Sequence, residues 1–372
     1  MSGIAGLRVA YLCLQATTEG QASYAHVHEI ITGLRRQGAT VDLFEPSYAC
    51  GFAPGVSGRL LEFFRVQRRV IRALTGYDAL YVRGHALAWW ASRAAYRRRV
   101  PVIQECNGMV EDFFIAWPAA RRFRSLITWL TYGQFRQADA VIAGSSGLAE
   151  WLLRETGVTA HTIPNGANCE LFRPVERPRG PQLPARYVVF FGSLAPWQGI
   201  GTALSAVAES AWPAGTSIVV IGDGVERERV AQAAARDPRI VYIGRLPYDK
   251  VGAVVANAVC SLVSKEQPEF AEAGISPLKL YESMACGVPV IATEGMPGLT
   301  DVVERVGSGV IIAQGDPAAL AEAVSQIAGD PDAAAAMGRR GRSYAEQECS
   351  WYARSEETAE VIAAVAGVSS NR

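Results

Sequence analysis

At 372 residues the chain exceeds what one hydrophobic core usually serves, so two domains of about 150 to 190 residues are expected. Its 36 Lys and Arg balance its 36 Asp and Glu, a net charge of zero that excludes a protein held to nucleic acid by bulk attraction. The seven cysteines stand singly, with no C-x-x-C and no Cys/His cluster at metal spacing, so a reduced compartment and no structural zinc are expected.

Residues 4 to 16 are apolar but carry Arg8, and they lack a basic start or a small-residue cleavage site. They read as a buried first strand rather than a signal peptide. No apolar run approaches the roughly 20 residues that span a bilayer, so a soluble cytoplasmic protein is expected. "LRVAYLCL" (7–14), a loop, a helix across "YAHVHEIITGLRRQG" closed by Gly38, and "TVDLF" (40–44) form a β-α-β unit. The alternation continues through "DALYV" (78–82), "PVIQE" (101–105), "AVIAG" (140–144) and "AHTIP" (160–164), which predicts an open parallel sheet with helices on both faces.

The composition then shifts. "RPVERPRGPQLPAR" (173–186) is rich in Pro and Arg and has no apolar periodicity, as a semi-rigid linker would. The pattern restarts with "YVVFFG" (187–192), a helix over 199–210, "SIVVIG" (217–222), "IVYIG" (240–244), "AVCSLVS" (258–264), "PVIAT" (289–293) and "GVIIA" (309–313). From 316 onward the chain reads as helices, the last of them capped by Ser350. The expected organisation is an N-terminal domain (1–172), a linker (173–186), a C-terminal domain (187–349) and a terminal helix (350–372) that packs back toward the N-terminal domain. A ligand is expected at the carboxyl ends of the strands, between the domains.

One stretch carries chemistry. In "GISPLKLYESMACGVPVIAT" (274–293), Ser276 suits an N-cap, Pro277 the first helical position, and Gly287 the stop. Leu278 and Lys279 then present unpaired N–H groups beside an ammonium, a ready anion site, with Glu282 one turn along the same face. That pattern fits a nucleoside diphosphate whose ribose hydroxyls meet the glutamate. A capped core helix with a solvated Lys–Glu pair fits the motif equally. The chain has only three lysines (Lys250, Lys265, Lys279) among its 36 basic residues, which tilts the choice toward a ligand.

The chain resembles the family-4 retaining glycosyltransferases of the two-domain GT-B fold, in which two doubly wound Rossmann-like domains face a central cleft. The segments that carry the likeness are "QADAVIAGSSGLAEWLL", "TIPNGANCELFRP", "VVFFGSLAPWQGIGTAL", "VIGDGVERERV", "YIGRLPYDKVGAVVANAV", "SPLKLYESMACGVPVIAT" and "GDPAALAEAV", in family order and spacing. The resemblance implies transfer of a sugar from a nucleotide-sugar donor held by the C-terminal domain to an acceptor held by the N-terminal one, with neither metal nor other cofactor. It places donor binding on Gly20, Gly192, Ser193, Gln198, Arg245, Ser276, Pro277, Leu278, Lys279 and Glu282.

The sequence departs from the family pattern in three places. Gly274 stands eight positions before Glu282, where the family has a glutamate; Glu272 and Glu269 are nearby and out of register. Ser193 and Gln198 occupy a phosphate loop where many members carry Arg and Lys, leaving Lys279 and Arg245 to supply the charge. Asn107 stands where the family often has a histidine. Asn107 and Glu272 are the implied catalytic pair, in a same-face displacement assisted by the departing phosphate. His85, in "VRGHALAWW", is a candidate on the acceptor side.

Up to Arg173 the chain has 19 arginines and 13 acids, and "RLLEFFRVQRRVIRALTG" (59–76) and "FFIAWPAARRFRSLITWLTYG" (113–133) mix Arg with aromatics. Such segments suit an anionic membrane surface or a lipid-linked acceptor, and equally the wet faces of crossover helices. The expected partners are therefore a nucleotide sugar, a glycan or lipid-linked acceptor and the inner membrane face, with no nucleic acid. A nucleotide-sugar 2-epimerase and a non-catalytic binding homologue are the alternatives on the same scaffold.

Overall fold

Both expected alternations of strand and helix are present in the computed structural model, which describes residues 3–17, 19, 22–48, 54–176, 183–266 and 276–369. The chain forms two units, one built on Ser23–Pro164 with the first strand and the segment from Arg354 onward, the other on Asn165–Ala353.

The first unit holds β1 (Arg8–Leu12), β2 (Thr40–Phe44), β3 (Ala79–Arg83), β4 (Val102–Cys106), β5 (Ala140–Ala143) and β6 (His161–Thr162), in the order β2-β1-β3-β4-β5-β6 and parallel throughout. The second holds β7 (Tyr187–Ser193), β8 (Ser217–Asp223), β9 (Ile240–Gly244), β10 (Ser261–Val263), β11 (Val290–Thr293) and β12 (Gly309–Ile312), in the order β12-β11-β10-β7-β8-β9, again parallel. The strand order therefore reverses between β1 and β3 in the first sheet and between β7 and β10 in the second. Loops leaving the carboxyl ends of such strands diverge to opposite faces and open a crevice.

The strands read as unbroken apolar runs because helices cover both faces. In β7, Tyr187, Val189 and Phe191 enter one core and Val188 and Phe190 the other, the two-residue alternation of a pleated strand. The helix Leu278–Ala285 lies in the first of these cores through Leu280, Tyr281, Met284 and Ala285. Burial of Leu280, Tyr281 and Met284 contributes about 1.5–3 kcal/mol each.

That short helix is fixed from behind by Pro331–Gln347. A Cβ on Gly338 would lie 2.0 Å from the Gly287 carbonyl oxygen, and one on Gly341 would lie 3.2 Å from Met284 Cγ. The two glycines thus let the backbones meet. Gly287, at φ +71°, ends the short helix, and the Arg342 guanidinium donates to the Ala285 carbonyl, one of the helix's orphan acceptors. Further on, Ser350 Oγ accepts from Ala353 N at 3.2 Å and starts the last helix. Within the first unit, Gln37 Nε2 donates to Ser355 Oγ at 3.0 Å.

Gly338→Ala is expected to destabilise the fold by about 1–3 kcal/mol through overpacking against the Gly287 carbonyl. Gly329→Ala, whose Cβ meets open space, is expected to be neutral or slightly stabilising. Urea denaturation of the two variants checks the contrast.

Candidate functional site

The second unit's candidate site sits where β7 and β10 separate, and its centre is the start of the helix Leu278–Ala285. Pro277, in extended conformation, occupies the N-cap position, so the helix begins one residue later than the sequence pattern suggests. Ser276 does not cap it. Its Oγ accepts from Asn165 N at 2.9 Å and donates to Tyr281 Oη at 3.2 Å, while the Asn165 side chain donates to the Ser276 carbonyl. Ser276 thus anchors the approach to the helix, and no side chain caps the first turn. The N–H groups of that turn, Leu278 and Lys279 among them, point forward with the positive end of the helix dipole.

Lys279 and Glu282 are both buried, at 8% and 5% exposure, which excludes the solvated pair. Lys279 Nζ is out of contact with solvent and has no hydrogen-bond partner among the described residues; it lies 4.6 Å from the centre of the Phe190 ring. Burial, reinforced by the neighbouring Lys265 and opposed by Glu282, holds its pKa well below the usual lysine range. Lys265 follows β10, and burial lowers its pKa to about 8. Glu282 is steadied by Tyr248, whose hydroxyl donates to Oε1 at 2.8 Å from the first turn of Tyr248–Val255.

Around this centre, Gly192 and Ser193 end β7 in exposed positions. Gln198 closes the next turn; its carbonyl accepts from Ser264 Oγ at 2.8 Å, and its Oε1 is buried without a partner. Glu266 Oε1 is likewise buried and unpartnered. Arg245 stands exposed after β9, the edge strand of the sheet. The cation that acts on Lys279 is Lys265. Gly20 and Glu272 lie outside the described residues.

In the first unit the reversal point between β1 and β3 is filled by a closed polar network. Glu105, 3% exposed on β4, accepts from Tyr81 Oη at 2.7 Å, Tyr11 Oη at 3.2 Å and the Arg83 guanidinium at 2.9 Å, with His26 Nε2 3.0 Å away. Burial works against its charge, but His26, Arg83 and the hydrogen bonds prevail and keep the carboxyl ionised. Asn107 is exposed two residues beyond, and its Nδ2 donates to the Glu105 carbonyl at 3.5 Å. His85 Nδ1 accepts from Leu87 N at 3.2 Å, capping the turn Ala86–Ala88, and its ring meets Phe63 and Phe113 edge-on. Burial lowers its pKa to about 4, so it is neutral at physiological pH.

Sequence reasoning missed Tyr248, Glu105, Glu266 and the part of Lys265. For Lys265 a signal existed, since it is one of three lysines and directly follows a strand. Nothing in the local sequence marks Tyr248 as a partner of Glu282, 34 positions away.

Comparison with known proteins places both halves. The family description "Glycosyltransferase Family 4" matches residues 25–171, and "Glycosyl transferases group 1" matches residues 185–330. The 2-deoxystreptamine glucosyltransferase of Streptomyces kanamyceticus is 33% identical over 240 residues, 60% of each chain. The alpha-maltose-1-phosphate synthase of Mycolicibacterium smegmatis is 26% identical over 264 residues, 63% of this chain and 65% of that one. The matched stretches thus span less than two thirds of these relatives' own lengths. In fold, the chain is similar to sucrose-phosphate synthase from Thermosynechococcus elongatus, with a TM-score of 0.75 at 19% identity over 95% of this chain and 98% of that one. It is also similar to Anabaena Alr3699/HepE in complex with UDP-glucose, with a TM-score of 0.71 at 18% identity over 96% and 100%. The chain belongs to the family-4 glycosyltransferases of the GT-B fold.

A lysine whose ammonium is disfavoured in the folded chain opposes folding at every pH below its ordinary value of 10.5 and ceases to do so as pH rises to it. Lys279→Met is therefore expected to raise the melting temperature of the ligand-free protein at pH 7, with the gain shrinking toward pH 10. Calorimetric scans across that range check both the sign and the slope.

Proposed function

We propose that the chain transfers a sugar from a nucleotide-sugar donor to a glycan, glycolipid or lipid-linked acceptor with retention of anomeric configuration. The observation that carries this reading is Lys279 Nζ, buried without a partner in the first turn of an uncapped helix, with Glu282 one turn behind it. A buried ammonium without a counter-ion is unfavourable until an anion arrives. The donor's diphosphate supplies that anion, and its ribose hydroxyls meet the Glu282 carboxylate that Tyr248 orients.

In the proposed reaction the acceptor oxygen bonds to the anomeric carbon on the face from which the diphosphate departs. The bond from that carbon to the phosphate oxygen breaks, and the acceptor proton passes to the leaving diphosphate. Lys279 and the helix N–H groups stabilise the charge that develops there, so this reading requires no metal ion. A helix N-terminus contributes about 0.3–2 kcal/mol, whereas micromolar donor binding needs about 8 kcal/mol. Several groups must therefore act together.

For the acceptor we assign the first unit. Its helix Val56–Ala73 exposes Leu60, Leu61 and Phe64, the segment that follows Trp117 exposes Phe123 and Trp129, and the Arg59 guanidinium lies 5.1 Å from the centre of the Trp117 ring. Apolar side chains set among arginines suit the headgroup region of an anionic membrane. No described helix is long and apolar enough to cross one. This supports peripheral placement on the inner membrane face and a part in building cell-surface glycans.

Thermal-shift screening against UDP-, GDP- and dTDP-sugars is expected to identify one stabilising donor by mass action. Lys279→Ala and Glu282→Ala should each weaken that donor by about tenfold or more while leaving the fold intact. Unchanged affinity in both would remove the assignment. Release of nucleoside diphosphate that depends on acceptor, with product configuration read by NMR, separates transfer from epimerisation and from simple binding. Separately, co-sedimentation with vesicles containing phosphatidylglycerol is expected at low salt and not with phosphatidylcholine alone. Its absence at low salt would count against the membrane placement.

A further inference from the structure

We propose that Lys265 is the second phosphate-binding cation of this site and grips the donor diphosphate together with Lys279. The inference rests on the donor reading above and adds a residue that neither the motif nor the comparisons assign.

The segment that carries Lys265 is held at three consecutive residues. Ser264 Oγ donates to the Gln198 carbonyl at 2.8 Å. Lys265 N donates to Thr293 Oγ1 at 2.9 Å, and Thr293 Oγ1 donates back to the Lys265 carbonyl at 2.9 Å. Glu266 N donates to the Trp197 carbonyl at 3.0 Å. The backbone of Lys265 is thus fixed to the turn after β7 and to the end of β11, on the two sides of the strand-order reversal. Its side chain has little backbone freedom left to lose when a ligand binds.

The two lysines repel each other. Among the described residues no carboxylate pairs with the Lys265 ammonium within 4 Å, and Lys279 Nζ has no partner at all. Glu282, the acid that acts on Lys279, is engaged by Tyr248. Lys265 is tethered at the carboxyl end of β10 and Lys279 opens the helix packed on that sheet, so a polyanion that reached both would relieve the repulsion between them.

The choice of residue agrees. All but three of the chain's 36 basic residues are arginine, and two of the three lysines belong to this part of the second unit. A guanidinium cannot shed its proton in a protein, so two buried arginines would remain charged and mutually repulsive in the empty site. Lysines can discharge when the site is empty and recharge when an anion enters. An orthophosphate monoester would satisfy one of them, whereas a diphosphate has charge enough for both.

The test uses inorganic pyrophosphate, which needs no knowledge of the nucleotide base, titrated calorimetrically into the full chain at pH 7. Lys265→Met is expected to weaken pyrophosphate about tenfold or more, as is Lys279→Met, whereas Lys250→Met, on the surface, leaves affinity unchanged. Lys265→Gln serves if the methionine variant does not fold. Lys265→Arg is expected to lower the melting temperature of the empty protein. If Lys265→Met binds pyrophosphate like wild type while Lys279→Met does not, the inference is overturned and the donor reading stands. If neither variant changes binding, or wild type does not bind, both fall.

Discussion

The second unit is organised around a buried amine that has no hydrogen-bond partner among the described residues and carries its charge at a cost. Lys279 is placed by a helix that is itself buried on nearly every side, so its ammonium cannot reach water, and the Phe190 ring offers only a weak attraction. A core free to optimise stability would replace such a group with an apolar one. Its place at an uncapped helix start, where backbone N–H groups add to the same positive potential, suits the anion site proposed above. The surrounding features serve this placement. Gly338 and Gly341 allow a second helix to back the first, Arg342 closes its carboxyl end, and Ser276 ties its approach to Asn165.

Two buried charged groups, one in each unit, are treated in opposite ways. In the first, Glu105 is surrounded by an arginine, a histidine and two tyrosine hydroxyls, so its charge is fully answered from within the fold. A network so satisfied rigidifies the strand ends and has little affinity left for a ligand. In the second, Lys279, Gln198 and Glu266 each keep a buried polar atom unmatched. Thr216 Oγ1 and Ser308 Oγ are unmatched as well, so it is the place of Lys279 at the helix start, rather than the lack of partners alone, that supports the donor reading proposed above.

His85 and Asn107 illustrate how a motif position and its physical role part company. His85 spends one ring nitrogen on capping a turn and is held neutral by burial. Asn107 is exposed, its Nδ2 donates to the Glu105 carbonyl, and an amide can meet a hydroxyl but cannot act as a base. In the proposed reaction the proton leaves with the diphosphate, so neither residue needs to accept it.

The sequence alone determined the two parallel sheets, most strand limits to within a residue or two, the helix of 278–285 and its Gly287 stop, because period, turn chemistry and capping are local properties of the chain. It also singled out Lys279 and Glu282, through their spacing and the rarity of lysine. It misplaced the cap by a residue, since Ser276 has a distant partner in Asn165 that outcompetes the helix end. The order of strands, which no local pattern announces, puts β9 and the Arg245 that follows it at the sheet edge and β10 with Lys265 at the centre. Burial of the lysine and glutamate, the Tyr248 support and the meeting of Lys265 with Lys279 were decided only by tertiary structure. Each depends on residues far apart in the chain, whose proximity follows from sheet topology rather than from any local preference.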